Sequence, residues 1–209
     1  VPLLCHDSDA PQSGRLAFVG TNNYQAGREA GKLIKEALPE GGKIMLFVGR
    51  LDAQNAQDRK RGIEEEVAGS GIEIIDTRTD GTDTQKARAN AEDALVAHPD
   101  LKCLVGLWSY NGPAIASAVR DSGAEGVEIV CFDEDEQTLQ AIKDGLIHGT
   151  VVQQPYQMGY QTIRILAEVC RGNREVIPAD GIVDTGVQIV KQDNVDAFWA
   201  DLKKLVGQE

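Results

Sequence analysis

The sequence predicts an α/β protein with a parallel sheet covered by helices on both faces, and three observations carry that prediction. Short β-type runs alternate with longer helix-type runs along most of the chain. The β-type runs are nearly continuous in apolar residues, as strands covered on both faces must be. Each run pairs with a following helix, and repeated strand–helix units build a parallel sheet through right-handed crossovers.

Residues 16–19 read as a strand and 24–37 as a helix. Gly41 and Gly42 make a turn into a strand at 43–48, which leads to a helix at 55–68. A strand at 72–77 precedes a helix at 84–97, which the His98-Pro99 pair terminates because the residue before proline avoids helical backbone. A strand at 103–107 is followed by a helix at 112–121, and a strand at 128–132 by a helix at 136–144. A strand at 150–152 leads into a helix at 156–171. The tail breaks the rhythm, with short runs at 181–183 and 187–190 before a helix from 195 to 205.

Composition narrows the function classes. The chain has 209 residues, 42% of them hydrophobic and 26% charged, the balance of a folded globular protein. No run reaches the roughly 18 apolar residues that a membrane span requires. With 21 basic against 33 acidic side chains the formal charge is −12, which repels phosphate backbones and excludes nucleic acid as a partner. Cys5, Cys103, Cys131 and Cys170 lie far apart without zinc-ligand spacing, and they read as buried free thiols acting as small hydrophobes.

In a sheet of this kind ligands bind beyond the carboxyl ends of the strands. Polar residues recur there: Thr21-Asn22-Asn23, the run from Arg50 to Asn55, Asp80-Gly81-Thr82-Asp83, Trp108-Ser109-Tyr110-Asn111, Asp133-Glu134-Asp135, and Gln153-Gln154. Helix capping accounts for some of them, with Asn23, Asp83, Asn111 and Asp135 as the expected caps. Capping does not account for an arginine, a tryptophan and two glutamines at one rim. An aromatic plane among bidentate polar groups suits a polyhydroxylated ring, whose C–H face stacks while its hydroxyls take paired donors and acceptors.

Catalytic signatures are missing from the sequence. No glycine-rich nucleotide loop follows a strand, and there is no Gly-x-Ser-x-Gly elbow or His-Glu-x-x-His. His6, His98 and His148 are scattered, with His148 expected at the opposite rim. The run Asp133 to Glu136 reads as one ligand-facing acid followed by a helix N-terminus that favours negative charge. No nucleophile is paired with a base, so the chain is read as a non-enzyme without a cofactor.

Several segments together resemble one family. They are Val1-Pro2-Leu3-Leu4-Cys5-His6-Asp7-Ser8, the run from Ala56 to Gly62, Ala97-His98-Pro99-Asp100, Val130-Cys131-Phe132-Asp133, and the run from Thr150 to Gly159. In order and spacing the chain resembles the periplasmic sugar-binding proteins of ABC transporters. These are type I periplasmic binding proteins of the ribose-binding class, related to LacI-type effector domains. The resemblance implies two Rossmann-like, flavodoxin-like lobes that close on a monosaccharide or similar polyol, periplasmic (extracytoplasmic) location, and delivery of the sugar to a permease. It places 1–8 as the last strand of the first lobe with its hinge, 16–152 as the second lobe, 153–180 as a crossover and helix of the first lobe, and 181–209 as a return crossover and tail. Most of the first lobe would then be absent, and the apolar 156–171 helix would seek cover from that lobe or from a second copy of the chain.

Carried over residue by residue, the resemblance assigns hydroxyl-binding roles to Asp7, Arg59, Asp133 and Gln153. Trp108 is added as the stacking residue, with Asn55 and Ser109 as neighbours. The chain departs from ribose binders at Ser8, where an arginine is common, at Thr82, where an aromatic is common, and at Trp108, where an asparagine is common. A pocket rebuilt around Trp108 is therefore expected. Two other readings compete: the effector domain of a LacI-type repressor, and a small α/β enzyme using the Asp133–Glu136 acids with a metal.

Overall fold

A computed structural model describes residues 1–208. It begins with β1 (Leu4–His6), β2 (Ala17–Gly20), α1 (Asn23–Ala37), β3 (Gly42–Val48), α2 (Gln54–Val67) and β4 (Ile72–Thr79). It continues with α3 (Thr84–Ala97), β5 (Leu101–Gly106), α4 (Asn111–Ser122), β6 (Glu128–Phe132), α5 (Glu136–Lys143) and β7 (Gly149–Val152). The last elements are α6 (Pro155–Cys170), β8 (Ile182–Asp184), β9 (Gln188–Lys191) and α7 (Val195–Leu205). None of the described helices is long and apolar enough to cross a membrane.

The elements form two compact units: Val1–Asn22 with Gln153–Gln188, and Asn23–Val152 with Ile189–Glu209. This corrects the expected boundaries at two places. The 16–22 segment belongs with the first unit because β2 pairs in parallel with both β1 and β8. The tail divides at 188/189, since β9 joins the larger sheet.

The second unit holds a six-stranded sheet in the order β4-β3-β5-β6-β7-β9. β3 pairs in parallel with β4 and β5, β5 with β6, and β6 with β7. The first five strands thus follow the doubly wound order 2-1-3-4-5. The order reverses between β3 and β5, and that reversal opens a crevice at the carboxyl ends of the two strands.

Strand alternation decides which helices cover which face. Met45 and Phe47 of β3 join Leu104, Ile129 and Cys131 in a core with Ala91, Ala94, Ile115, Val119, Leu139 and Ile142 from α3, α4 and α5. Val195 of α7 is buried in the same core, with Phe198, Trp199 and Leu202 packed against it. Ile44, Leu46 and Val48 alternate onto the other face and are fully buried, as are Ile34 of α1 and Ile63 of α2.

Helices α1 and α2 cross at unusually close range because glycines face backbone. A Cβ at Gly27 would overlap the backbone carbonyl of Arg59, and one at Gly62 would overlap the carbonyl of Tyr24. This reciprocal contact sets the height of α2 against the sheet and so places Arg59.

In the first unit, α6 packs on β1 and β2. Val19, Ile165 and Val169 form its small core, supported by Leu4, Leu16, Val176, Ile177 and Val183. The opposite side of α6 leaves Tyr156, Tyr160 and Ile163 exposed. Cys103 and Cys131 are buried free thiols, Cys5 is half-buried, and Cys170 is exposed, contrary to the expectation that all four are buried. Burial pushes the Cys131 thiol up to about 12.

Overpacking a tight crossing costs about 1–3 kcal/mol. Gly62→Ala is expected to lower unfolding free energy by that amount, measured as a reduced urea midpoint at constant slope.

Candidate functional site

Arg59 sits on the second turn of α2 and is 1% exposed. Its Nε donates to Asn23 Oδ1 at 2.9 Å, and its Nη1 donates to the Leu107 carbonyl at 2.5 Å. Nη1 also lies 4.0 Å from Asp133 Oδ2, and the guanidinium carbon lies 4.3 Å from the centre of the Phe132 ring. One side chain therefore ties together the start of α1, the end of β5 and the end of β6. A guanidinium removed from water is tolerable only with such partners, and charge-assisted bonds of this type contribute about 1.5–3 kcal/mol each. The neighbouring Arg61 is exposed and pairs with Asp58, a solvated role of the kind its position in the run suggests.

Asp133 takes left-handed backbone, with φ 71°. Its N–H donates to the Val151 carbonyl at 3.0 Å, and its own carbonyl accepts from Thr150 Oγ1 at 2.8 Å. Asp7, Thr82 and Asp133 are the non-glycine residues with positive φ among the described residues. Each follows the carboxyl end of a strand. Such backbone costs on the order of 1–3 kcal/mol and concentrates at ligand clamps.

Trp108 lies two residues past β5, beside the reversal point. Its indole rests on Gly49, where a Cβ would overlap both the indole ring and the Tyr110 hydroxyl. The Tyr110 ring meets it edge-on, with centroids 6.5 Å apart and planes at 70°. The Trp108 N–H donates to Asn111 Oδ1 at 3.1 Å. Asn111 Nδ2 donates to Asp80 Oδ2 at 3.0 Å, and the Tyr110 hydroxyl donates to Asp80 Oδ1 at 2.5 Å. Burial, reinforced by that bond to Asp80, pushes the Tyr110 phenol well above its ordinary range. Trp108 Nε1 and Asn55 Oδ1 are shielded from solvent and have no hydrogen-bond partner among the described residues. Asn55 and Arg59 are four apart on α2 and so share a helix face.

The second unit thus carries Arg59, Asp133, Trp108, Asn55 and Ser109 at the carboxyl ends of β5 and β6 and the start of α2, with Ser109 half-buried. Asp7 and Gln153 belong to the first unit. Asp7 is exposed, and its N–H donates to the Val19 carbonyl at 3.1 Å. Gln153 is half-buried immediately after β7.

The capping expectations divide. Asp83 accepts from the N–H groups of Gln85 and Lys86, and Asp135 accepts from that of Gln137. Asn23 and Asn111 instead spend their side chains on Arg59 and on the Asp80–Trp108 link. Asp80 and Tyr110 were not singled out by the sequence reading. Both stand among the polar residues of the rim, but a local turn accounts for Asp80, and nothing in the sequence shows that it faces Asn111. His148 does lie at the opposite edge, 3.9 Å from Glu36, whose carboxyl is held below its ordinary range mainly by a hydrogen bond from Lys191. Among the described residues no three His, Cys, Asp or Glu side chains gather to hold a metal ion, the Asp133–Glu136 run included.

Residues 1–174 match the family described as a periplasmic binding protein domain. The chain belongs to that family. Its relatives include a D-ribose/D-allose-binding protein of Pseudomonas aeruginosa, 28% identical over 176 residues, covering 84% of this chain and 55% of the relative. Among solved structures it is similar to an ABC transporter solute-binding protein from Burkholderia graminis in complex with D-arabinose (35% identity, TM-score 0.86, covering 93% of this chain and 68% of the other). It is also similar to GanP, a glucose-galactose binding protein from Geobacillus stearothermophilus (30% identity, TM-score 0.86, covering 93% and 69%). This periplasmic binding protein domain has the type I fold, and its relatives are binding proteins. The chain spans little more than half the length of the curated relatives it matches.

Glu134 beside the site offers a pH test. Burial, and secondarily the charge of Asp133, raises its carboxyl pKa above 4.5. A raised carboxyl favours folding only while protonated, so its contribution is present below the unfolded pKa and lost as pH climbs through the folded one. Glu134→Gln is therefore expected to be more stable than the parent at neutral pH, with the margin vanishing below pH 4.5, read from urea midpoints across pH.

Proposed function

We propose that the rim formed by Arg59, Asp133, Trp108, Asn55 and Ser109 binds a monosaccharide or similar polyol, and that the parent protein is the solute-binding component of an ABC importer. The observation that carries this reading is an indole seated on glycine at the reversal point of a doubly wound sheet, one residue past the carbonyl that accepts from a buried arginine. That arginine itself lies 4.0 Å from the half-buried Asp133. An indole face complements the C–H face of a sugar ring, and Arg59 and Asp133 offer a donor fork and an acceptor for vicinal hydroxyls. The solvent-shielded Trp108 Nε1 needs an acceptor and Asn55 Oδ1 needs a donor. A hydroxyl is both.

Asp7 and Gln153 of the first unit are assigned hydroxyl-binding roles by likeness to the family alone. Relatives named as a D-ribose/D-allose-binding protein and as a solute-binding protein in complex with D-arabinose support a pentose or hexose. We place the protein outside the cytoplasmic membrane, with a permease as partner, no chemical step and no cofactor. We read the second unit as one lobe of such a protein and the first unit as part of its companion.

Saturation-transfer NMR on the 209-residue chain with D-arabinose and D-ribose tests the reading, because it registers weak binding. Transfer from indole protons to sugar ring protons is expected, and Trp108→Ala should abolish it. Arg59→Ala and Asp133→Asn should each weaken binding by about tenfold, the loss of one charge-assisted hydrogen bond. Binding that survives all three substitutions unchanged, or no transfer to any monosaccharide, overturns the proposal.

A further inference from the structure

We infer that Asp80 is the positioning residue for Trp108: it fixes the direction of a hydrogen-bond relay that ends on the Trp108 backbone and holds the indole on Gly49. The ligand-side consequence rests on the carbohydrate reading above, whereas the relay itself does not.

Asp80 is 3% exposed and continues the sheet beyond β4. Its N–H donates to the Val48 carbonyl at 3.2 Å, and the next N–H, that of Gly81, donates to the Gly49 carbonyl at 2.9 Å. The acid is thereby fixed relative to the glycine under the indole. Its carboxylate can only accept when ionised. Oδ1 takes the Thr82 N–H at 2.8 Å and the Tyr110 hydroxyl at 2.5 Å, and Oδ2 takes Asn111 Nδ2 at 3.0 Å.

Those bonds impose polarity on Asn111. With its NH2 turned to Asp80, its carbonyl oxygen faces the Trp108 N–H at 3.1 Å. Tyr110, held by its hydroxyl, is pinned edge-on against the indole. An amide at position 80 cannot accept on both sides: with its NH2 toward Asn111 it meets a donor, and turned over it sets that NH2 against the Thr82 N–H. Turning the Asn111 amide over would move the conflict to the Trp108 N–H. The relay has one consistent direction, and the charge sets it.

The polarity argument makes a compensating pair available. Asp80→Asn breaks the relay. Asn111→Asp alone sets two carboxylates against each other. Combined, they restore an acceptor toward the Trp108 N–H and a donor–acceptor match between positions 80 and 111. The experiment uses a Trp199→Phe background, which leaves Trp108 as the single tryptophan of the chain's two.

Emission maximum and acrylamide quenching are read without sugar, and D-arabinose affinity by saturation transfer. Asp80→Asn is expected to red-shift emission, raise quenching and weaken D-arabinose binding by about tenfold, and adding Asn111→Asp to reverse all three. Gly49→Ala, which unseats the ring directly, should reproduce the emission change. Unchanged emission in Asp80→Asn, or a double variant no better than the single one, overturns the inference. Should Asp80→Asn fail to fold, recovery of a cooperative melt and parental emission in the double variant supports the relay, and no recovery refutes it. Emission that follows the relay while no sugar binds the parent refutes the carbohydrate reading and leaves the relay intact.

Discussion

A guanidinium hidden from water has to bring its acceptors with it, and Arg59 does so by drawing on separate parts of the fold. Asn23 at the start of α1, the Leu107 carbonyl past β5 and Asp133 past β6 all converge on one side chain. Leaving that charge unpaired in the interior would cost several kcal/mol. The positions of α1, α2 and the two strand ends are therefore coupled. Gly27 and Gly62 make the coupling possible, since a side chain at either would lift α2 away from α1 and carry Arg59 off its acceptors.

On this scaffold the rim has two halves of different character. Around Arg59 the chemistry is ionic and the partners come from main chain as well as side chains. Around Trp108 it is aromatic, seated on Gly49 and steadied by Asp80 through Asn111 and Tyr110. The left-handed backbone at Thr82 and Asp133 marks the points where the chain bends sharply out of a strand to bring these groups to the edge. At Asp133 that local strain is held by β6 beneath it, which is buried along most of its length.

The fold was largely legible because parallel strands such as β3, β5 and β6 are nearly continuous in apolar residues and the helices between them are not. Legibility failed where pairing is long-range. Residues 16–22 look like the opening strand of the large unit, yet β2 pairs with β1 and with β8, more than 160 residues later. Arg59 is picked out only by the resemblance of the run from Ala56 to Gly62 to a family motif, whereas Trp108 and Asp133, an indole and an acid following apolar strands, have few local reasons to be there. Asp80 could not be picked out, since an acid before a glycine turn is explained just as well by the turn. Asn23 and Asn111 were read as caps for the same reason: local chemistry offers a sufficient account, and only the fold shows that their side chains reach elsewhere.

The bond from Arg59 to the carbonyl of Leu107 has an implication for how such a rim changes over time. A main-chain acceptor cannot be lost to substitution, so the residues that follow it, Trp108, Ser109 and Tyr110, can drift without unseating the arginine. Recognition at this edge can be respecified one side chain at a time while its anchor stays in place, which is the condition for a single scaffold to diversify across many ligands.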